Sequence, residues 1–149
     1  MSAEYDLEII VQIAELARNA DRMAQLLHAA IEHIPSPVTV VGANGELVRL
    51  NRAGREYAGL EFNLGVVKDW PDFHYRPDGS RYPVEELPLA RSLANGEYVR
   101  GEVLRIEWGH GSTTHHEIES FPIHDESDGS LLGAMALWPE IESGGTDAG

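Results

Sequence analysis

The stretch "RPDGSRYPVEELPLARSLANGEYVRGE", residues 76–102, decides how the rest of the chain is read. Its first part, "RPDGS", gathers Pro77, Asp78 and Gly79, residues that favour a tight turn. The segment "VEELPLARSLANG" predicts a helix with Glu85 and Glu86 in its first turn, Leu87, Leu89, Ala90 and Leu93 as its apolar side, and Asn95-Gly96 at the left-handed C-terminal cap. Pro88 is compatible with that helix only inside the first turn, where a missing N–H costs nothing. A strand begins directly after the cap. This middle segment offers turn, helix, turn and strand with no obvious catalytic residue.

Downstream the chain is strand and turn. "YVRGEVLRIEW" alternates, with Leu104, Ile106 and Trp108 on one face and Val103, Arg105 and Glu107 on the other. "GHGS" turns, "TTHHEIESFPI" is a second strand, "HDESDGS" turns again, and "LLGAMALWPEI" is a third. Upstream, Val38 to Val41 and Leu47 to Leu50 flank the turn residues Asn44 and Gly45, which predicts a hairpin. Between hairpin and crossover lie short helix-like pieces such as "NRAGREYAGL", then Trp70, Phe73 and Tyr75. Two strands, a helical crossover and a three-strand meander make an α+β fold: a five-stranded antiparallel sheet with short helices on one face.

A long amphipathic helix is expected to precede this sheet, from Asp6 to Ile34. Its apolar residues Ile9, Ile13, Leu16, Ala20, Met23, Leu27, Ala30 and Ile34 repeat with alternating spacings of four and three, a heptad seam. Such a helix either lies on its own domain or forms a two-chain or four-helix dimer contact. The length of the seam favours the dimer, and Ala20 and Ala30 would let a second helix approach closely. Pro35 and Pro37 end the helix. The expected organisation is a dimerisation helix over 1–34, a globular domain over 35–141 and a small polar tail or linker over 142–149.

At 149 residues one core is expected. The formal charge of −14 opposes binding to nucleic acid and to anionic lipid. The chain has no cysteine, which removes disulfides, thiolate metal sites, Cys nucleophiles and flavin chemistry through a cysteinyl adduct. No signal peptide is evident at "MSAEYDLEII", and no apolar run approaches the ~20 residues that span a bilayer. A soluble cytoplasmic chain is expected.

The order of elements, together with Asn51 after the second strand, the "PDG" turn, the "PLARSL" helix and "FPIHDESDGSLLGAM" across the last hairpin, resembles the PAS sensor family over about residues 26–141. Members often end the last strand with an Asp-Ile-Thr-like signature that couples to an output helix; here "WPEIES" stands in its place. The resemblance implies a bacterial sensory module that holds a small molecule between the sheet and its short helices. It implies dimerisation through the flanking helix and control of an effector, such as a histidine kinase of a two-component system, supplied by a C-terminal output domain or by another protein.

On this reading the pocket candidates are Asn51, Tyr57, Leu60 and Trp70 from the helical side, with Leu104, Ile106, His116, Ile118, Ser120, Met135 and Leu137 from strands. The same residues would equally fill a closed core, leaving a ligand-free adaptor. His74 in "DFHYRP" and Trp138 resemble the iron ligand and last-strand Trp of haem-binding PAS domains, although the "DGS" turn after Pro77 is common in members without haem. The alternative for His74 is a half-exposed loop residue. His115 and His116 are adjacent and face opposite sides of a strand, so no metal site is indicated. The carboxylate pairs fall at a helix start, on a strand and in a turn, the serines lack a nucleophile elbow, and the "GHG" glycines lie in a hairpin; no catalytic residue is assigned.

Overall fold

A computed structural model describes residues 3–58, 67 and 73–142. The chain divides into two compact units, residues 1–33 and 34–149. The first is a helix, α1, spanning Ala3–Glu32. It ends before Ile34 because Pro35 pushes its predecessor out of the helical region. The last residue of the expected seam therefore lies past the helix. Within α1 the seam positions Ile13, Leu16, Met23 and Leu27 are 55–68 % exposed.

The second unit begins with the expected hairpin, β1 (Val38–Gly42) and β2 (Leu47–Leu50), followed by α2 (Arg52–Ala58). After β3 (His74–Tyr75), a 3-10 turn (Val84–Glu86) leads into α3 (Pro88–Asn95). The meander is β4 (Val99–Glu107), β5 (Thr113–His124) and β6 (Leu131–Leu137), and β7 (Glu140–Ile141) follows. The sheet is antiparallel, ordered β2-β1-β6-β5-β4-β3, with β7 pairing to β5. The five long strands are the expected ones. The crossover carries the chain from β2 at one edge to β3 and β4 at the other, so β1 lies against β6 at the centre.

Two local differences from the sequence reading have clear causes. The helix expected over 84–96 is broken: Leu87 is extended (φ −58°, ψ 146°) because Pro88 follows it, and Pro88 becomes the first residue of α3. Glu85 and Glu86 consequently belong to the 3-10 turn. Gly96 caps α3 at φ 67°, and its N–H donates to the Ser92 carbonyl. On β6 the inward residues are Ala134 and Ala136, while Met135 and Leu137 occupy the other face. Both faces of β6 are apolar, so alternation alone leaves the phase open. Small side chains face inward where α3 packs against β5 and β6. At Gly133, opposite Gly42, a Cβ would strike the Val41 carbonyl, so this close strand approach requires glycine.

The core combines Val41, Leu104, Ile106, Ile118, Ala134 and Ala136 of the sheet with Leu87 and Leu89 around the start of α3, closed by Tyr82, Trp108 and Trp138.

Candidate ligand-binding site

Between the inner face of the sheet and the helices lies a cavity of about 70 Å³. Leu104 and Ile106 of β4, Ile118 of β5 and Ala136 of β6 form its floor. Thr39, Leu50 and Ala58 close one side, Leu87, Pro88 and Leu89 another, and Phe73, His74, Trp108 and Trp138 contribute rings. Each strand contributes alternate residues because side chains on a strand face in and out by turns.

Two side chains of this lining carry polar hydrogen-bonding groups away from the indoles. Thr39 is buried, and its hydroxyl accepts a hydrogen bond from Trp138 Nε1 at 2.9 Å. His74 sits on β3 opposite Ile106 and is only 6 % exposed, so the half-exposed loop position is replaced by a buried strand position. Burial lowers its pKa to about 4, which leaves the ring neutral at neutral pH. No charged side chain lines the cavity among the described residues.

Beside the cavity runs a directed chain of hydrogen bonds. Trp108 Nε1 donates to Thr114 Oγ1 at 2.8 Å, Thr114 Oγ1 lies 2.7 Å from His116 Nε2, and His116 Nδ1 lies 2.8 Å from the Trp138 carbonyl oxygen. A carbonyl only accepts, so Nδ1 carries the proton. Nε2 of the neutral ring then accepts from the Thr114 hydroxyl. His116 is fully buried, and desolvation lowers its pKa against the opposing pull of the Trp138 carbonyl and Glu140, consistent with this neutral tautomer. The ring also meets Tyr57 (5.1 Å between centroids) and Trp138 (5.0 Å) edge-on. Tyr57 donates from its hydroxyl to Glu140 Oε1 at 2.6 Å, tying α2 to β7. Burial and the Glu140 bond raise its pKa to about 12.

A family model for the PAS fold matches residues 31–141. The chain belongs to the PAS family. No curated protein sequence matches it. Among solved structures, it is similar to the PAS domain of an HTR-like protein from Haloarcula marismortui (TM-score 0.53, 16 % identity, 86 % of this chain and 99 % of that one). It is similar to a PAS domain from Colwellia psychrerythraea (TM-score 0.52, 15 % identity, 80 % and 97 %). It is also similar to the dimer of VqmA from Vibrio cholerae, a LuxR-type receptor observed without its target DNA (TM-score 0.55, 17 % identity). That match covers 80 % of this chain and 51 % of VqmA, so the chain spans about half of that relative's length. At these identities the likeness is one of fold. PAS domains are typically sensory, non-catalytic modules.

Within this PAS domain the pocket candidates separate. Leu104, Ile106 and Ile118 line the cavity, as do His74 and Trp138. Tyr57 and His116 stand beside it in the aromatic and hydrogen-bonded cluster. Ser120 lies beneath α3, 2.7 Å from the Ser92 hydroxyl, and pins that helix to β5. Asn51 is a structural hub: its Oδ1 accepts from the Val38 and Gly54 N–H groups, and its Nδ2 donates to the Ile34 and Ser36 carbonyls. Met135 and Leu137 face away from the cavity. Leu60 and Trp70 lie outside the described residues.

The sequence reading did not select Thr39, Leu50, Ala58, Leu87, Pro88, Leu89, Trp108 or Ala136 as pocket residues. The inward set on β4, including Trp108, was legible from alternation. Thr39 was hidden because Val38 and Val41, its apolar neighbours, are both buried. Ala136 was hidden by its size, since a cavity is made by the side chains that leave space. Among the described residues no cluster of His, Asp and Glu could hold a metal ion, and no helix is long and apolar enough to cross a membrane.

Proposed function

We propose that this chain is a cytoplasmic sensory PAS module that dimerises through α1, binds a small molecule in the cavity beneath α3 and thereby regulates an effector such as a histidine kinase. The observation that carries the proposal is the cavity itself, an apolar space with the neutral polar groups of Thr39 and His74 in its lining. Ligand sites have this character: apolar walls with a few placed polar groups. Dimerisation is supported by the heptad seam and by the exposure of Ile13, Leu16, Met23 and Leu27. For a ligand to signal, it must bind one state of the dimer better than another. The Tyr57–Glu140 bond offers a route, because it links α2, whose Ala58 lines the cavity, to the final strand. The charge of −14 disfavours direct nucleic-acid contact by this segment, so an effector protein or output domain is the partner.

A haem-based version using His74 and Trp138 fits less well. The Trp138 indole N–H is engaged by Thr39, and a cavity of about 70 Å³ is far below what a porphyrin occupies. The same small volume favours, as the second reading, a ligand-free dimerisation adaptor. A thermal-shift measurement separates the two sensory and adaptor readings. Under the sensory reading, a small-molecule extract of the cells that make the protein raises the Tm of the wild type. It leaves the cavity-filling Ala136→Leu variant unchanged. Equal responses from both proteins, or none from either, contradict it.

A further inference from the structure

We infer that the molecule this cavity takes is uncharged, largely apolar and no larger than a single ring. The inference rests on the reading of the cavity as a ligand site and specifies its chemistry. The first ground is the lining. Apart from Thr39 and His74 its described side chains are hydrocarbon or aromatic, and the rings of Phe73, Trp108 and Trp138 are neighbours, with Trp108 centred 6.0 Å from Phe73 and 6.3 Å from Trp138. Ring walls of this kind favour a flat partner through offset or edge contacts.

The second ground is where the charges are. Arg91 is paired to Glu97 at 2.6 Å and to Glu102 at 2.5 Å, Arg105 is paired to Glu107 at 2.5 Å, and Arg76 is paired to Glu86 at 3.2 Å. None of these side chains lines the cavity. A carboxylate or ammonium placed there would exchange its hydration for described walls that carry no counter-charge, a cost that strongly disfavours it. His74 offers no remedy at neutral pH, since burial keeps its ring unprotonated.

The third ground is size. The space of about 70 Å³ is roughly half of the ~150 Å³ apolar void that accepts benzene, so a single ring is the upper bound and enters only if the lining shifts outward. The hydroxyl of Thr39 already accepts from Trp138 and keeps its own proton to donate, which suits a ligand with one acceptor atom.

The test uses three probes of similar size, toluene, benzoate and benzylammonium, titrated into the protein at about pH 7.5 while the tryptophan indole N–H and backbone amide resonances are followed. The charged probes bind at least ~10-fold more weakly than toluene if the inference holds, because a charge buried without a partner is strongly disfavoured. Ala136→Leu, or Leu104→Phe if the first variant does not fold, abolishes the toluene shifts. Benzoate or benzylammonium binding as tightly as toluene, with the same loss in the variant, overturns the inference while leaving the ligand site standing. Shifts from none of the three overturn the ligand-site reading together with it.

Discussion

His74 shows how far the environment of one residue can depart from its local sequence. "DFHYRP" reads as a loop, yet two residues pair with β4 and bury the imidazole against the cavity. The backbone pairing that does this depends on a partner strand some thirty residues away, which no local pattern contains. The burial has a thermodynamic consequence. The folded-state pKa is lowered to about 4 from the usual 6.5, so the unfolded chain binds the proton more readily, and stability is lost as pH falls from about 6.5 towards 4. His116, lowered in the same direction, adds to the loss. By about pH 5 the His74 contribution alone costs on the order of 2 kcal/mol. Urea titrations at about pH 7.5 and about pH 5 check this, with His74→Gln as the reference because its amide does not titrate. The wild-type midpoint is expected to fall further than that of the variant; parallel falls would mean the ring is not buried in solution.

At the scale of elements, Asn51 joins more of the fold than any motif residue. It is the N-cap of α2, accepting from the Gly54 N–H three residues on, and it holds the Val38 N–H and the carbonyls preceding β1. Asn51→Ala strips partners from four buried or half-buried backbone groups and is expected to cost about 2–3 kcal/mol in chemical denaturation. Asn51→Asp keeps the acceptor but replaces the Nδ2 donor with a carboxylate oxygen that faces the Ile34 and Ser36 carbonyls, so it should also destabilise; a neutral Asp variant would mean that the donor bonds contribute little. The position of Asn51 after a strand was legible in the sequence, but its pocket role was not borne by the geometry, because a polar side chain after a strand suits a cap as well as a ligand. The elements themselves were largely legible. Period-two alternation located β4 and β5, Asn44-Gly45 located the hairpin, and Gly96 located the end of α3. What escaped were β3 and β7, each two residues long, and the break at Leu87-Pro88. The cavity was legible where alternation met one apolar face, at Leu104, Ile106 and Ile118; on β6, apolar on both faces, alternation did not single out Ala136 over Met135 and Leu137.

At the scale of the whole molecule, α1 carries an exposed apolar seam, and the cavity of the PAS domain has no charged side chain among its described lining residues. On the proposed reading, assembly is a property of α1. Ile13→Asp with Leu27→Asp puts charges into the seam and is expected to convert dimer to single chains without unfolding the PAS domain. The central claim is that the dimer carries a small molecule, and native mass spectrometry of the untagged protein, purified from the cells that make it, tests this most directly. The account predicts two protomers with a reproducible added mass of single-ring size, and the loss of that mass in Ala136→Leu. Single protomers, or a dimer that carries no added mass under any purification that preserves weak ligands, would contradict it.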